Sequence, residues 1–474
     1  MEIENGVPKM LRELFQVFAS ARDRHPNGNH AAGRSPHGLP HGIPVEKLIA
    51  GCHELMSERG EVSGTRIASK MLSGYQALDK AGRARFFDLL IQDFSPDPEK
   101  VGEAGDVYRK HPSPTTLAKL QRMVEPARQE LFRRLNTAPG ATRILVEMRA
   151  NLVRERQASH TPISADLEHL FKSWFNRGFL RLQRIDWSTP AAILEKLIAY
   201  EAVHRIQGWN DLRRRLAQDR RCYAFFHPAL PDEPIIFVEA ALTRGISACV
   251  QPLLDPEAPV ADTNTADCAI FYSITNCQEG LRGVPFGSFL IKQVVQELGR
   301  DLPRLRRFAT LSPVPGFRAW LDRNRSALGL ESLIEKLDDP QWSGNQQIAA
   351  ELKPHLVHLC ARYLLREKGS GENGSPEKGG PEKGGAEKGG NEPLDPVARF
   401  HLRNGARLKR INWLGDTTSK GLERSAGLTV NYIYRLSELE RNHELYVRES
   451  KISASPEVEA LAAKPPRVAA LKLA

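Results

Sequence analysis

Residues 269–320 read AIFYSITNCQEGLRGVPFGSFLIKQVVQELGRDLPRLRRFATLSPVPGFRAW, and this stretch decides the fold. Its first part, 269–274, is a short apolar run rich in β-branched and aromatic residues and bounded by Asn276. That pattern predicts a buried strand. Gly280, Gly283 and Gly287 follow, interleaved with Arg282, and predict a loop. From about 286 to 298 the apolar residues recur at helical spacing. Leu290, Val294 and Leu298 share one face beside Ile291 and Val295, while Lys292, Gln293, Gln296 and Glu297 take the other. A strand, a glycine loop and a helix N-terminus form an anion site, because the first-turn N–H groups lack intrahelical partners and the dipole adds positive potential. Arg282 adds a planar fork suited to phosphate. The spacing is neither the dinucleotide fingerprint nor a P-loop. The residues alone leave two readings, a phosphate loop or a glycine-rich turn that joins strand to helix.

Working outward, 308–311 predicts another strand, with a helix starting near 316. Upstream, 222–227, 235–242 and 246–250 read as strands, with a turn at Pro231-Asp232-Glu233-Pro234. A helix opens at Ser188-Thr189-Pro190 and runs to about 204. Between them Arg213, Arg214, Arg215, Arg220 and Arg221 form a basic cluster, read as ion-pair partners or a solvated face rather than a nucleic-acid surface. From 45 to about 184 the pattern is helix after helix: 45–57, 64–72, 74–94, 97–111, 115–136, 141–156 and 164–179. A further helix is expected over 8–22, and the loop holding His25, His30, His37 and His41 reads as solvated rather than metal-binding. Residues 326–366 read as helices broken near Pro340. The EKGG near-repeats that follow cannot bury apolar area and predict a disordered surface insert over 369–391. Asp395-Pro396 then opens a helix over 397–403 that ends at Asn404-Gly405. Apolar segments follow at 408–414 and 428–436, then a helix over 437–449 and a polar tail.

Three blocks carry a resemblance: FYSITNCQEGLRGVPFGSFLIK (271–292), FATLSPVPGF (308–317) and FHLRNGARLKRINWLGD (400–416). In this order they resemble the malonyl-CoA decarboxylase family, over about 186–447. The resemblance implies an α+β chain: an N-terminal all-α helical domain, 1–185, that mediates oligomerisation as a dimer or tetramer, then an acetyltransferase (GNAT)-like α/β catalytic domain, 186–474. The antiparallel strands followed by a β-α-β unit are themselves similar to the GNAT superfamily. The implied reaction converts malonyl-CoA to acetyl-CoA and carbon dioxide. It involves no metal and no cofactor, since coenzyme A is part of the substrate and the thioester is the electron sink.

That chemistry needs a donor for the enolate oxygen, an aligned carboxylate and an acid that protonates carbon. The family's catalytic serine and histidine map onto Ser312 and His401. His401 is the expected proton donor, and Ser312 is expected to orient the substrate. His401 lies near a helix C-terminus, where the dipole is expected to favour its protonated form. The family's phosphate loop maps onto Arg282, Gly283, Val284, Pro285, Phe286, Gly287 and Ser288. The family's loop carries an acidic residue where this chain has Pro285; if that carboxylate assists the histidine in the family, this chain must do without it or use another group. Asn404 and Tyr434 are the candidate supporting donors.

Bulk properties are compatible with this. The 474 residues allow two or three domains, and a net charge of +10 suits an anionic partner such as coenzyme A. Six cysteines without a C-x-x-C pair give no metal spacing and no disulfide framework. No run reaches the roughly 18 apolar residues of a membrane span. The first residues lack a signal-peptide apolar region, and the last four, LKLA, are not a peroxisomal signal. A cytoplasmic enzyme with no membrane or nucleic-acid partner is expected. The rivals are a coenzyme A-dependent N-acyltransferase on the same fold and a scaffold or nucleic-acid binder built on the arginines.

Overall fold

The structure, a computed structural model, describes residues 44–284, 286, 290–369 and 391–463. The helix expected over 8–22, the four loop histidines and the EKGG repeats lie outside the described residues, as do Pro285, Gly287 and Ser288.

From Val45 the chain folds as one compact unit whose first part is a stack of helices. Local capping sets their starts. Asp97 accepts from the Glu99 and Lys100 amides ahead of Pro98, and Ser113 and Thr116 form a reciprocal cap ahead of Pro114. The single helix expected over 115–136 is two, Pro114–Val124 and Ala127–Leu135. Pro126 removes an amide donor and pushes Glu125 to extended backbone, ψ 123°. The exposed carbonyls at the end of the helix Val45–Ser57 are met by Arg134, which donates to Leu55, Met56 and Glu58.

The main sheet is built from β1 (Arg181–Ile185), β2 (Arg220–His227), β3 (Leu230–Thr243), β4 (Cys268–Asn276), β5 (Arg307–Thr310), β6 (Ser312–Pro313), β9 (Arg407–Asn412) and β10 (Thr429–Ile433). The strand order is β1-β2-β3-β4-β5-β10-β6, with β9 on the outer side of β10. Neighbours from β1 to β4 are antiparallel, whereas β4 and β5 are parallel, Phe271 opposite Thr310. The glycine loop and the helix Leu290–Asp301 form their crossover, and Leu290, Ile291, Val294, Val295 and Leu298 are buried as the periodicity requires. The architecture has the expected order, a helical part followed by an α/β part built on a mixed sheet. Short strands β7 (Lys368–Gly369) and β8 (Glu392–Pro393) pair antiparallel and bring together the two ends of the insert.

Three further expectations are corrected. Residues 181–185, read as the end of the helical stretch, form an edge strand on β2. Residues 246–250 are not a strand. Two of their carbonyls are taken by side chains instead, Arg410 bonding Ile246 and Ser247, and Asn431 bonding Ser247. The polar tail contains a helix, Pro456–Ala463, that seats Val458 and Ala462 in the core. Much of the arginine cluster is internal: Arg214 forks onto Asp219, and Arg215 joins Asp211 to Glu239, with both arginines buried, whereas Arg213 is exposed.

Candidate active site

The strand β5 runs out at Thr310, and the chain steps through Leu311 into Ser312. Pro313 and Pro315 stiffen the turn that follows. Ser312 is opposite Val430 of β10, and the turn is fixed from the other side by Ser425, whose hydroxyl accepts from the Val314 amide at 3.0 Å. The helix Pro396–Arg403 starts as its sequence predicts. Asp395 accepts from the Ala398 amide at 2.8 Å and Pro396 occupies the first turn. Burial pushes the Asp395 carboxyl up to about 6, against the hydrogen bond from the Ala398 amide. The helix stops at Gly405, φ +78°, where an added Cβ would sit 2.1 Å from the Leu439 carbonyl.

These two elements place His401 against Ser312. Nε2 of His401 is 2.9 Å from the Ser312 hydroxyl, and Nδ1 is 2.7 Å from the Tyr434 hydroxyl. The imidazole stacks on Tyr432 with ring centroids 4.5 Å apart. The Ser312 hydroxyl lies 2.9 Å from Thr310 Oγ1, and that oxygen also accepts from the Tyr432 amide. His401 is 2% exposed and Ser312 6%.

Burial sets the protonation. It drives His401 from 6.5 down to about 3 and raises the Tyr434 phenol well above its usual value. The expected protonated histidine is therefore corrected: desolvation outweighs the helix dipole, and His401 is neutral at neutral pH. The protonated phenol donates to Nδ1, so the hydrogen-bond network assigns the proton of His401 to Nε2, facing Ser312.

Of the sequence-predicted residues, the structure brings together Ser312, His401 and Tyr434. Asn404 serves the helix end, its amide donating to the Phe400 carbonyl at 2.8 Å. In the loop, the Arg282 side chain is 63% exposed, Gly283 has φ +82°, Val284 faces the core and Phe286 packs half-buried against it. Any contribution of Val284 to ligand binding is thus through its backbone. Sequence reasoning missed Thr310 and Tyr432. Both were accessible by strand alternation, since Thr310 shares a face with Ser312 and Tyr432 with Tyr434. Among the described residues no group of three or more His, Cys, Asp or Glu is placed to hold a metal, and no helix is long and apolar enough to cross a membrane.

Residues 178–471 match the malonyl-CoA decarboxylase C-terminal domain, and residues 94–175 match the malonyl-CoA decarboxylase N-terminal domain. The mitochondrial malonyl-CoA decarboxylase of Anser anser anser is 33% identical, over 96% of this chain and 94% of the relative. That of Rattus norvegicus is 34% identical, over 81% and 83%. Among solved structures, malonyl-CoA decarboxylase from Rhodopseudomonas palustris superposes with a TM-score of 0.80 at 46% identity, covering 88% of this chain and all of the other. The Agrobacterium vitis enzyme gives 0.79 at the same identity and coverage. With the strand-loop-helix unit, the order of its blocks and both domain matches in agreement, the chain belongs to the malonyl-CoA decarboxylase family.

Proposed function

We propose that Ser312 and His401 carry out the decarboxylation of malonyl-CoA to acetyl-CoA and carbon dioxide, the reaction of the family to which this chain belongs. The observation that carries the proposal is the 2.9 Å contact between Ser312 and His401 at the end of β5, beside the β-α-β crossover. The diphosphate of coenzyme A is held by the loop from Arg282 to Ser288, and the acyl end reaches along β5 to Ser312. Loss of the β-carboxylate as carbon dioxide leaves an enolate on the thioester. The Ser312 hydroxyl turns from Thr310 to the thioester oxygen and stabilises the developing charge. Nε2–H of His401 delivers its proton to the methylene carbon while Tyr434 passes its own to Nδ1. A thioester enolate is far more basic at carbon than a phenolate, so this shift runs downhill, and a solvent proton restores Tyr434.

Release of carbon dioxide from malonyl-CoA is the test, with Ser312→Ala and His401→Ala alongside. Both variants are expected to bind coenzyme A and lose turnover. Transfer of the acyl group to an amine without carbon dioxide release would instead favour the acyltransferase reading. The chain also self-associates in this proposal, through the helical part. The adjacent helices Pro98–Lys110 and Pro114–Val124 leave Val107, Leu117 and Val124 between 38% and 50% exposed, which supports it. Light scattering showing a monomer across the micromolar range would overturn it.

A further inference from the structure

The glycine loop does not stand free; it is docked on the helical part of the chain. Gly280 lies so close to the helix Ala141–Glu155 that an added Cβ would sit 1.9 Å from the Val146 carbonyl. Leu281 and Val284 are buried in the core that this helix shares. Between them Arg149, 3% exposed, sends one guanidinium nitrogen to two loop carbonyls: Gly280 at 2.8 Å and Arg282 at 2.6 Å. Its other nitrogens bond the Glu168 carboxylate at 2.5 Å and the Ser164 carbonyl at 3.2 Å, so the fork is held from behind. The same Glu168 carboxylate lies against Gly283, 3.3 Å from where a Cβ would stand. Arg154 adds an outer tie, bonding Glu279 at 2.7 Å.

This geometry has a directional consequence. In a trans peptide the carbonyl and the following N–H point opposite ways. With the Arg282 carbonyl drawn inward to Arg149, the Gly283 N–H is turned outward, away from the helix Ala141–Glu155. Gly283 takes φ +82°, and a side chain there would be strained in that conformation and would also approach Glu168. The Arg282 side chain is on the exposed side. An outward amide and an outward guanidinium are the two groups that a diphosphate engages.

We propose that Arg149, seated on Glu168, is a positioning residue for the coenzyme A diphosphate, so that the helical part of the chain completes the substrate site. Arg149 touches no substrate atom; it sets the Gly280 and Arg282 carbonyls, and through them the orientation of the diphosphate-binding loop. This rests on the reading of that loop given under Proposed function.

The test separates diphosphate positioning from general stability. The variant is the pair Arg149→Met with Glu168→Gln, which removes the fork without stranding a buried charge; Arg149→Lys is the milder second variant. Each is assayed on malonyl-CoA and on malonyl-pantetheine, which lacks the diphosphate, and titrated with coenzyme A by calorimetry. A misplaced loop is expected to weaken coenzyme A binding and raise KM for malonyl-CoA about 10- to 100-fold in the double variant, with kcat changed less than about threefold. On malonyl-pantetheine kcat/KM should stay within about twofold of the unaltered chain, and Arg149→Lys should fall between the two on malonyl-CoA. Equal losses on both substrates, or an unchanged affinity for coenzyme A, overturns the proposal. If the double variant fails to fold, the same ratio measured on Arg149→Lys decides. Should the unaltered chain bind coenzyme A but release no carbon dioxide, the decarboxylase reading falls while the titration still decides the role of Arg149. An unaltered chain that does not bind coenzyme A overturns both.

Discussion

Replacing Tyr434 with phenylalanine removes one oxygen and tests the proton path directly. In the structure that oxygen lies 2.7 Å from Nδ1 of His401, in an enclosure where Phe271 meets the Tyr434 ring edge-on and Tyr432 stacks on the imidazole. Phenylalanine fills nearly the same volume, so the aromatic packing is retained. What is lost is the partner of a buried ring nitrogen, which costs about 1–3 kcal/mol of stability. The larger effect is on catalysis. Without the phenol, Nδ1 has no proton source, and transfer from Nε2 would leave an imidazolate in a buried site. The imidazole is also freed to take the other tautomer, with its lone pair facing Ser312.

A general acid contributes roughly 100- to 10,000-fold. We therefore expect kcat of Tyr434→Phe to fall by about 100-fold or more, close to 3 kcal/mol of barrier. KM for malonyl-CoA should move less than about threefold, because the loop proposed to hold the diphosphate is a separate element. The assay is acetyl-CoA formation at saturating malonyl-CoA, with a thermal melt to show that the variant is folded. A kcat within about threefold of the unaltered enzyme, in a folded variant, would refute the path through Nδ1 and leave Tyr434 a packing residue.

Because burial holds His401 near 3, kcat should be flat between about pH 5 and 8; an inflection near 6.5 would show that the working acid is an imidazolium instead. Stability follows the same shift, with its sign set by a depressed histidine pKa. The contribution is full above 6.5, where both states are neutral, and is lost as pH falls from 6.5 toward 3, at up to roughly 1 kcal/mol per unit. Asp395, raised to about 6, acts oppositely between about 6 and 4, so the difference between the unaltered chain and His401→Gln should be measured in melts across that range. Arg215→Met strands Glu239 and Asp211 in the interior and should cost about 3–5 kcal/mol, whereas Arg213→Ala, on the exposed side of the same helix, should change stability by less than about 0.5 kcal/mol; equal effects in denaturant melts would refute the buried network. Gly280→Ala drives a methyl group into the Val146 carbonyl, and should raise KM for malonyl-CoA well before it affects kcat.

What the sequence made legible was local. The apolar run of β4, the helical spacing of residues 290–298 and the Asp395-Pro396 start each follow from a few adjacent residues, and each is where the pattern puts it. The edge strand 181–185 was missed because its five residues, RLQRI, are mostly polar and sit among helices. Residues 246–250 have strand composition, but Arg410 and Asn431 claim the carbonyls of Ile246 and Ser247. Arg149 carried no signal at all. It reads as one more polar residue on a helix, and its partners at Gly280 and Arg282 are 131 and 133 residues away. Tyr434 was reachable as a candidate donor, yet its position on Nδ1 depends on β10 lying beside β5, which is a property of the sheet order.

The charge on His401 shows why magnitudes have to decide between principles. A helix C-terminus stabilises a cation by about 0.3–1 kcal/mol, rising to about 2 in favourable buried cases. Burial here moves the imidazole from 6.5 to about 3, and each unit is worth about 1.4 kcal/mol, so desolvation wins by a wide margin. The outcome suits the chemistry. The substrate enters with a carboxylate that must leave as a neutral molecule. An imidazolium beside it would form an ion pair with the ground state that vanishes as carbon dioxide departs, and so would raise the barrier. A neutral Nε2–H avoids that pairing and still meets a carbanion basic enough to take its proton. In the proposed mechanism the apolar and aromatic packing around His401 does more than hold the ring: it removes the charge that would oppose the first step while keeping the proton that completes the second.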